Sequence, residues 1–259
     1  MKKTASEKPA LAAILLLLAW VLVIPPALAQ QDLYEERQEN VSPQAQGQFD
    51  KAERLAQQGS LEEAVKAYQE ASRREPRFAL AHHQLGLAYA RLGRYPEAVK
   101  ALKEATRLQP QWGKAYENLG VAYIKMGLWQ EARQAFQEAV HRHPGDAESH
   151  YNLGLALGKL KRDQEARAEF AEAVRLQPDL AKAHKNLGLA YLNLGRPAEA
   201  GKALQEAVRL QPDDPQAHYA LCAYYLRQGD EAGASREFKA LQKLDPKLAQ
   251  SLTDLGKKK

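Results

Sequence analysis

The chain has 259 residues, 45% of them hydrophobic and 27% charged, with a formal net charge of +5. This composition suits a folded protein of one or two domains. It excludes a collagen, a wholly disordered chain and, with a single cysteine, a disulfide scaffold. The charge sits at the ends: residues 1–29 carry a net +2 and Lys257, Lys258 and Lys259 carry +3, so the body between them is close to neutral and a nucleic-acid binder is not indicated.

The first segment opens with a basic stretch holding Lys2, Lys3 and Lys8. An unbroken apolar run of 14 residues follows, from Leu11 to Ile24. Pro25 and Pro26 stop any helix there. Ala27 and Ala29 then place small residues at −3 and −1 relative to a cut before Gln30. This is the layout of a secretory signal peptide over residues 1–29, with an uncleaved anchor as the alternative. Either way the remaining chain is expected outside the cytoplasm, in the periplasm or secreted. Residues 30–44 are polar and aperiodic and read as a flexible linker. Cys222, alone, forms no internal disulfide.

The body repeats itself. Segments beginning at Asn118, Asn152 and Asn186 are near copies, spaced by 34 residues, and Pro76, Pro110, Pro144, Pro178, Pro212 and Pro246 keep the same frame. Six units follow without insertion: 45–78, 79–112, 113–146, 147–180, 181–214 and 215–248. Each unit predicts two helices. In the second unit, Leu85, Ala88, Tyr89 and Leu92 fall on one helical face, Gly93 marks a helix end, and Pro96 opens the next helix. Ala98, Leu102, Ala105 and Leu108 form its apolar face, and Pro110 closes it. Small residues recur at unit position 8 (Gly86, Gly120, Gly154, Gly188, Cys222) and at position 20 (Ala98, Ala132, Ala166, Ala200, Ala234). They let two antiparallel helices approach closely. Residues 249–259 read as a capping helix fragment and a lysine tail, with Leu248, Leu252 and Leu255 covering the last unit.

Leu at position 7, Gly or Ala at 8, Tyr at 11, Ala at 20 and 27, an aromatic or Leu at 24 and Pro at 32 resemble the tetratricopeptide repeat (TPR). The resemblance covers 45–248. It implies an all-α, right-handed superhelical solenoid whose inner surface is lined by the first helix of each pair. Four departures stand out: Lys51 at position 7 of unit one, Leu157 at position 11 of unit four, Lys161 where the other units have a turn glycine, and Leu241 at position 27 of unit six. Lys161 predicts a strained or altered turn.

No catalytic signature is present: no Walker A, G-x-S-x-G, H-E-x-x-H or C-x-x-C pattern. The expectation is a protein that is not an enzyme and takes no cofactor or metal. His82, His150, His184 and His218 all stand at position 4, and their period argues for packing. His141, His143 and His150 cluster around one turn and suggest a metal site, with surface and packing histidines the better reading.

If TPR geometry applies, positions 2, 5, 6, 9, 12 and 13 face the groove. Position 6 reads Gln84, Asn118, Asn152, Asn186 and then Ala220. Amides pair well with an extended main chain. The row resembles the asparagine row in the TPR region of O-GlcNAc transferase, whose catalytic domain is absent here. Cations flank it: Arg91, Lys125 and Lys159 at position 13, and Lys114, Lys182 and Lys185 at positions 2 and 5. Leu87, Val121, Leu155 and Leu189 at position 9 add an apolar strip, so the carboxylate clamp of chaperone-binding TPRs, which needs Asn there, is not implied. The expected partner is a protein or peptide, acidic or carboxylate-bearing. The expected function is an exported interaction scaffold; the alternatives are a self-assembling structural protein or homo-oligomer, and an accessory factor for an envelope enzyme or secretion complex.

Overall fold

The computed structural model describes residues 41–256, with only the helical backbone for 253–256. The signal segment 1–29, residues 30–40 of the linker and the tail 257–259 lie outside the described residues, as does the side chain of Leu255. Thirteen α-helices follow one another, and no strand occurs among the described residues. Twelve of them form six pairs. These are α1 (Pro43–Gln57) with α2 (Leu61–Arg74), α3 (Ala79–Arg91) with α4 (Tyr95–Leu108), and α5 (Gly113–Lys125) with α6 (Trp129–Arg142). Then come α7 (Ala147–Lys159) with α8 (Asp163–Leu176), α9 (Ala181–Asn193) with α10 (Pro197–Leu210), and α11 (Pro215–Gln228) with α12 (Glu231–Leu244). α13 (Pro246–Gly256) follows.

Helices α3, α5, α7, α9 and α11 begin on the first residue of their repeat unit. α1 begins earlier, at Pro43, because Ser42 caps it: its hydroxyl accepts from the Ala45 N–H at 3.3 Å.

Each pair closes by the same reversal. Gly93, Gly127, Gly195 and Gly229 hold φ of 73°, 73°, 69° and 74°, and the next residue's N–H donates back to the carbonyl at unit position 11, as Leu128 does to Tyr123 at 3.0 Å. Unit four makes the same turn with Lys161 at φ 62°, and Arg162 N–H reaches the Leu157 carbonyl at 3.0 Å. The turn's shape is thus kept and the strain is carried by Lys161. Lys161→Gly should stabilise the chain by about 1 kcal/mol. The readout is the urea midpoint; an unchanged midpoint refutes the strain.

The close approach within a pair is visible at position 8. A Cβ on Gly120 would stand 2.7 Å from the Phe136 ring, and one on Gly154 2.7 Å from the Phe170 ring. Phe136 is fully buried and Ala132 and Ala139 flank it at 0% exposure. Unit six has Cys222 at that position; its thiol is directed at the Ala234 carbonyl, 3.3 Å away. There Phe238 is only half-buried, and Leu241 is fully buried instead.

Each second helix packs on the first helix of the next pair. First helices also touch along their own row: α3 on α5, α5 on α7, α7 on α9 and α9 on α11. The second helices have no matching row of contacts among the described residues. A stack drawn together along one row and spread along the other curves, so the first helices form the inner surface.

The apolar core falls into two clusters. One runs from Ala45 to Ala203, and the other holds Leu204, Leu221, Tyr225 and Leu241 with Ala249 and Leu252 of α13. α13 therefore covers the last pair, and the Asp245 carboxylate caps it by accepting from Leu248 N–H at 3.0 Å.

Candidate functional site

The inner surface takes its character from unit positions 2, 5, 6, 9 and 13. At position 9, Val121 and Leu189 are 38% and 39% exposed, large for aliphatic side chains, while Leu87 and Leu155 are half-buried. Together they make an apolar strip along successive first helices.

The amides lie beside that strip. Asn118 shares a 2.9 Å hydrogen bond with Nε2 of His83, one repeat back. Asn186 donates to the Lys182 carbonyl at 2.9 Å and to the Tyr151 hydroxyl at 3.4 Å, again one repeat back. Asn152 is 8% exposed, and Gln84 is half-buried. Two of the four amides thus brace neighbouring repeats.

The cations divide into two groups. Lys114 pairs with Glu117 at 2.6 Å, Lys182 with Glu148 at 2.5 Å, and Lys185 with Asp214 at 2.6 Å. Burial opposes the charge on Asp214, but the Lys185 ammonium outweighs it and holds the carboxyl below its usual range. The positive charge expected of this face is therefore reduced at positions 2 and 5. Its position 2 and 5 lysines are neutralised by carboxylates, Glu117 and Asp214 within the same repeat and Glu148 on the repeat before. Arg91, Lys125 and Lys159 are exposed, and none has an ion-pair partner among the described residues. Lys159 lies over the Trp129 ring, 5.7 Å from its centre. Arg91 and Gln84 share a cleft of about 130 Å³ with Leu87, Tyr68 and Glu53. Burial, and then the Glu53 carboxylate that receives its hydroxyl, push the Tyr68 phenol up.

The position 4 histidines do something the sequence reading missed. Nε2 of His82, His150, His184 and His218 lies 3.1, 3.1, 2.9 and 2.9 Å from the carbonyl of Pro76, Pro144, Pro178 and Pro212. Each ring pins the turn between two repeats. Unit three has Tyr116 there, and Arg142 donates to the Pro110 carbonyl at 2.8 Å in its place. In unit four, Nδ1 of His150 also meets Glu169 at 2.7 Å, a hydrogen bond that raises the histidine pKa against its burial. The recurring Pro–His spacing of six residues was the available signal.

His83, at position 5, was not singled out either. It is 6% exposed and packs on Trp112 with ring centres 4.2 Å apart. Burial, with Lys114 adding to it, pushes its pKa down to about 4. Among the described residues no cluster of three or more His, Cys, Asp or Glu is placed to hold a metal ion, and no helix is long and apolar enough to cross a membrane.

The model of one protein family, the cilia and flagella-associated protein 70 C-terminal domain, a TPR domain, matches residues 7–253. None of the curated proteins compared with the chain matches it. Among solved structures it is similar to MamA from Desulfovibrio magneticus RS-1, at 25% identity and TM-score 0.62, over 67% of this chain and 98% of that one. It is also similar to YrrB, described as a TPR protein with an unusual peptide-binding site, at 20% identity and TM-score 0.62, over 73% of this chain and 99% of that one. PilW, a type IV pilus biogenesis factor, superposes at 16% identity and TM-score 0.69, over 82% of this chain and 99% of that one. The last two likenesses speak to the fold alone.

Proposed function

This chain belongs to the TPR family of the cilia and flagella-associated protein 70 C-terminal domain, and on that premise we propose that it is an exported, non-catalytic scaffold that holds extended protein segments against its inner surface. The observation that carries the proposal is the exposed aliphatic strip of Val121 and Leu189, with Leu87 and Leu155, running beside a row of amides. Exposed aliphatic side chains aligned over several repeats give a guest something to bury. Amides beside them give its main chain donors and acceptors. Arg91, Lys125 and Lys159 favour a guest with acidic side chains. Export rests on the basic, apolar and small-residue layout of 1–29. YrrB, similar in fold, is named for a peptide-binding site, which supports the reading.

The test is titration of peptides bearing acidic and aliphatic residues into the mature chain and into Asn118→Ala, Asn152→Ala and Asn186→Ala. Each substitution should weaken binding about five-fold, the equivalent of roughly 1 kcal/mol for one hydrogen bond. Because Asn118 and Asn186 also bond across repeats, their variants should melt earlier too, so binding is measured below the lowest melting temperature. A triple variant that binds with the parent's affinity would remove the amide row from the site.

A further inference from the structure

The inner surface is not uniform along its length. Units two to four carry the cations without ion-pair partners, Arg91, Lys125 and Lys159, one per repeat at the same position. Unit five breaks the row: Asn193 stands there, and its side-chain N–H donates to Asp163 at 3.0 Å. Lys182 and Lys185 of the same unit are taken by Glu148 and Asp214. Arg227 of unit six is left isolated beyond this gap.

Apolar exposure runs along the units and is largest in the last one. Leu226, at position 12 of unit six and next to Arg227 at position 13, is 55% exposed, the largest value among the exposed large apolar side chains. Leu189 is 39% exposed, and Tyr219, Ala223 and Leu192 are half-buried around the second core cluster. Position 6, an amide in units two to five, becomes the buried Ala220. The last unit thus offers area to bury and no amide at position 6.

We infer that the guest is a two-part peptide segment, with acidic side chains laid over units two to four and an aliphatic or aromatic stretch seated over units five and six. The inference rests on the inner-surface reading and adds to it the composition and placement of the guest. Charge complementarity selects the acidic part. Exposed cations in water give a modest, salt-screened attraction, so this half contributes the register. The apolar half contributes burial that salt does not screen.

Three fluorescein-labelled peptides test it: one of glutamate and serine, one of leucine, phenylalanine and serine, and one joining both blocks through glycine and serine. Fluorescence anisotropy is read with the mature chain, with the triple variant Arg91→Ser, Lys125→Ser, Lys159→Ser, and with Leu226→Ser. All four positions are exposed, so the variants should fold, and circular dichroism melts check this. The joined peptide should bind tightest. The triple variant should lose about five-fold or more for the joined and acidic peptides, lose their salt dependence, and leave the apolar peptide unchanged. Leu226→Ser should weaken the joined and apolar peptides and spare the acidic one. Equal losses for both blocks in both variants would overturn the two-part placement. Joined-peptide binding that survives these variants but falls with Asn118→Ala and Asn186→Ala would overturn it too, while leaving the inner surface as the site. Failure of all three peptides to bind the parent overturns the placement and the inner-surface reading together.

Discussion

Phe136→Ala should destabilise the chain by about 3–5 kcal/mol, the largest single effect expected of a core substitution here. Phe136 is 0% exposed and its ring lies on Gly120, where the two helices of unit three come closest. Removing the ring leaves a void that backbone packed on both sides cannot close. The reciprocal change, Gly120→Ala, should cost about 1–3 kcal/mol, because its Cβ would meet the ring at 2.7 Å and a fully buried phenyl has nowhere to go. Unit six shows the arrangement that relieves such crowding: with Cys222 in the glycine's place, Phe238 sits further out and Leu241 fills the space. Both variants are read by urea denaturation. A Phe136→Ala midpoint within error of the parent would show that unit three does not depend on this contact.

The second large effect is on acid stability. Burial pushes His83 down to about 4, and Lys114 adds to the shift. In the unfolded chain a histidine titrates near 6.5. Between these values the unfolded state binds the extra proton. His83 therefore contributes its full stabilisation above about pH 6.5, and that is lost as pH falls toward 4, by roughly 3 kcal/mol. His82, pushed down mainly by burial, acts in the same direction. His150 acts in the opposite one: Glu169 raises it, so its contribution is complete below about pH 6.5 and is lost as pH rises through its raised value. His83→Phe keeps an aromatic ring against Trp112 and removes the titration. Urea midpoints at pH 7 and near pH 4.5 should fall less in the variant than in the parent. Parallel losses would place the acid sensitivity elsewhere.

The fold was legible because its determinants are local and repeated. The glycine at position 8 and the alanines at positions 20 and 27 state how close two helices come, and their return every 34 residues states that the pairs stack. The inner surface was legible only as a list of residues. Lys182 and Glu148 occupy the same position in successive units, and nothing in a period says whether two such side chains meet or diverge. Lys185 and Asp214 meet because the capping aspartate of α11 turns toward α9. Asn118 reads equally well as a guest-binding amide and as the partner of His83 until the helices are placed side by side. The Pro–His spacing was visible, but its meaning depends on a carbonyl, which sequence patterns do not display.

The boundary between the two core clusters, at Ala203 and Leu204, has a mechanical meaning. An array that shares one continuous interior yields as a unit, whereas one with an internal seam can let go of one end and keep the other. Under load, units one to five would hold while the last pair and its cap peel away. The exposed leucine at the seam's far side, Leu226, would leave the array with that last pair.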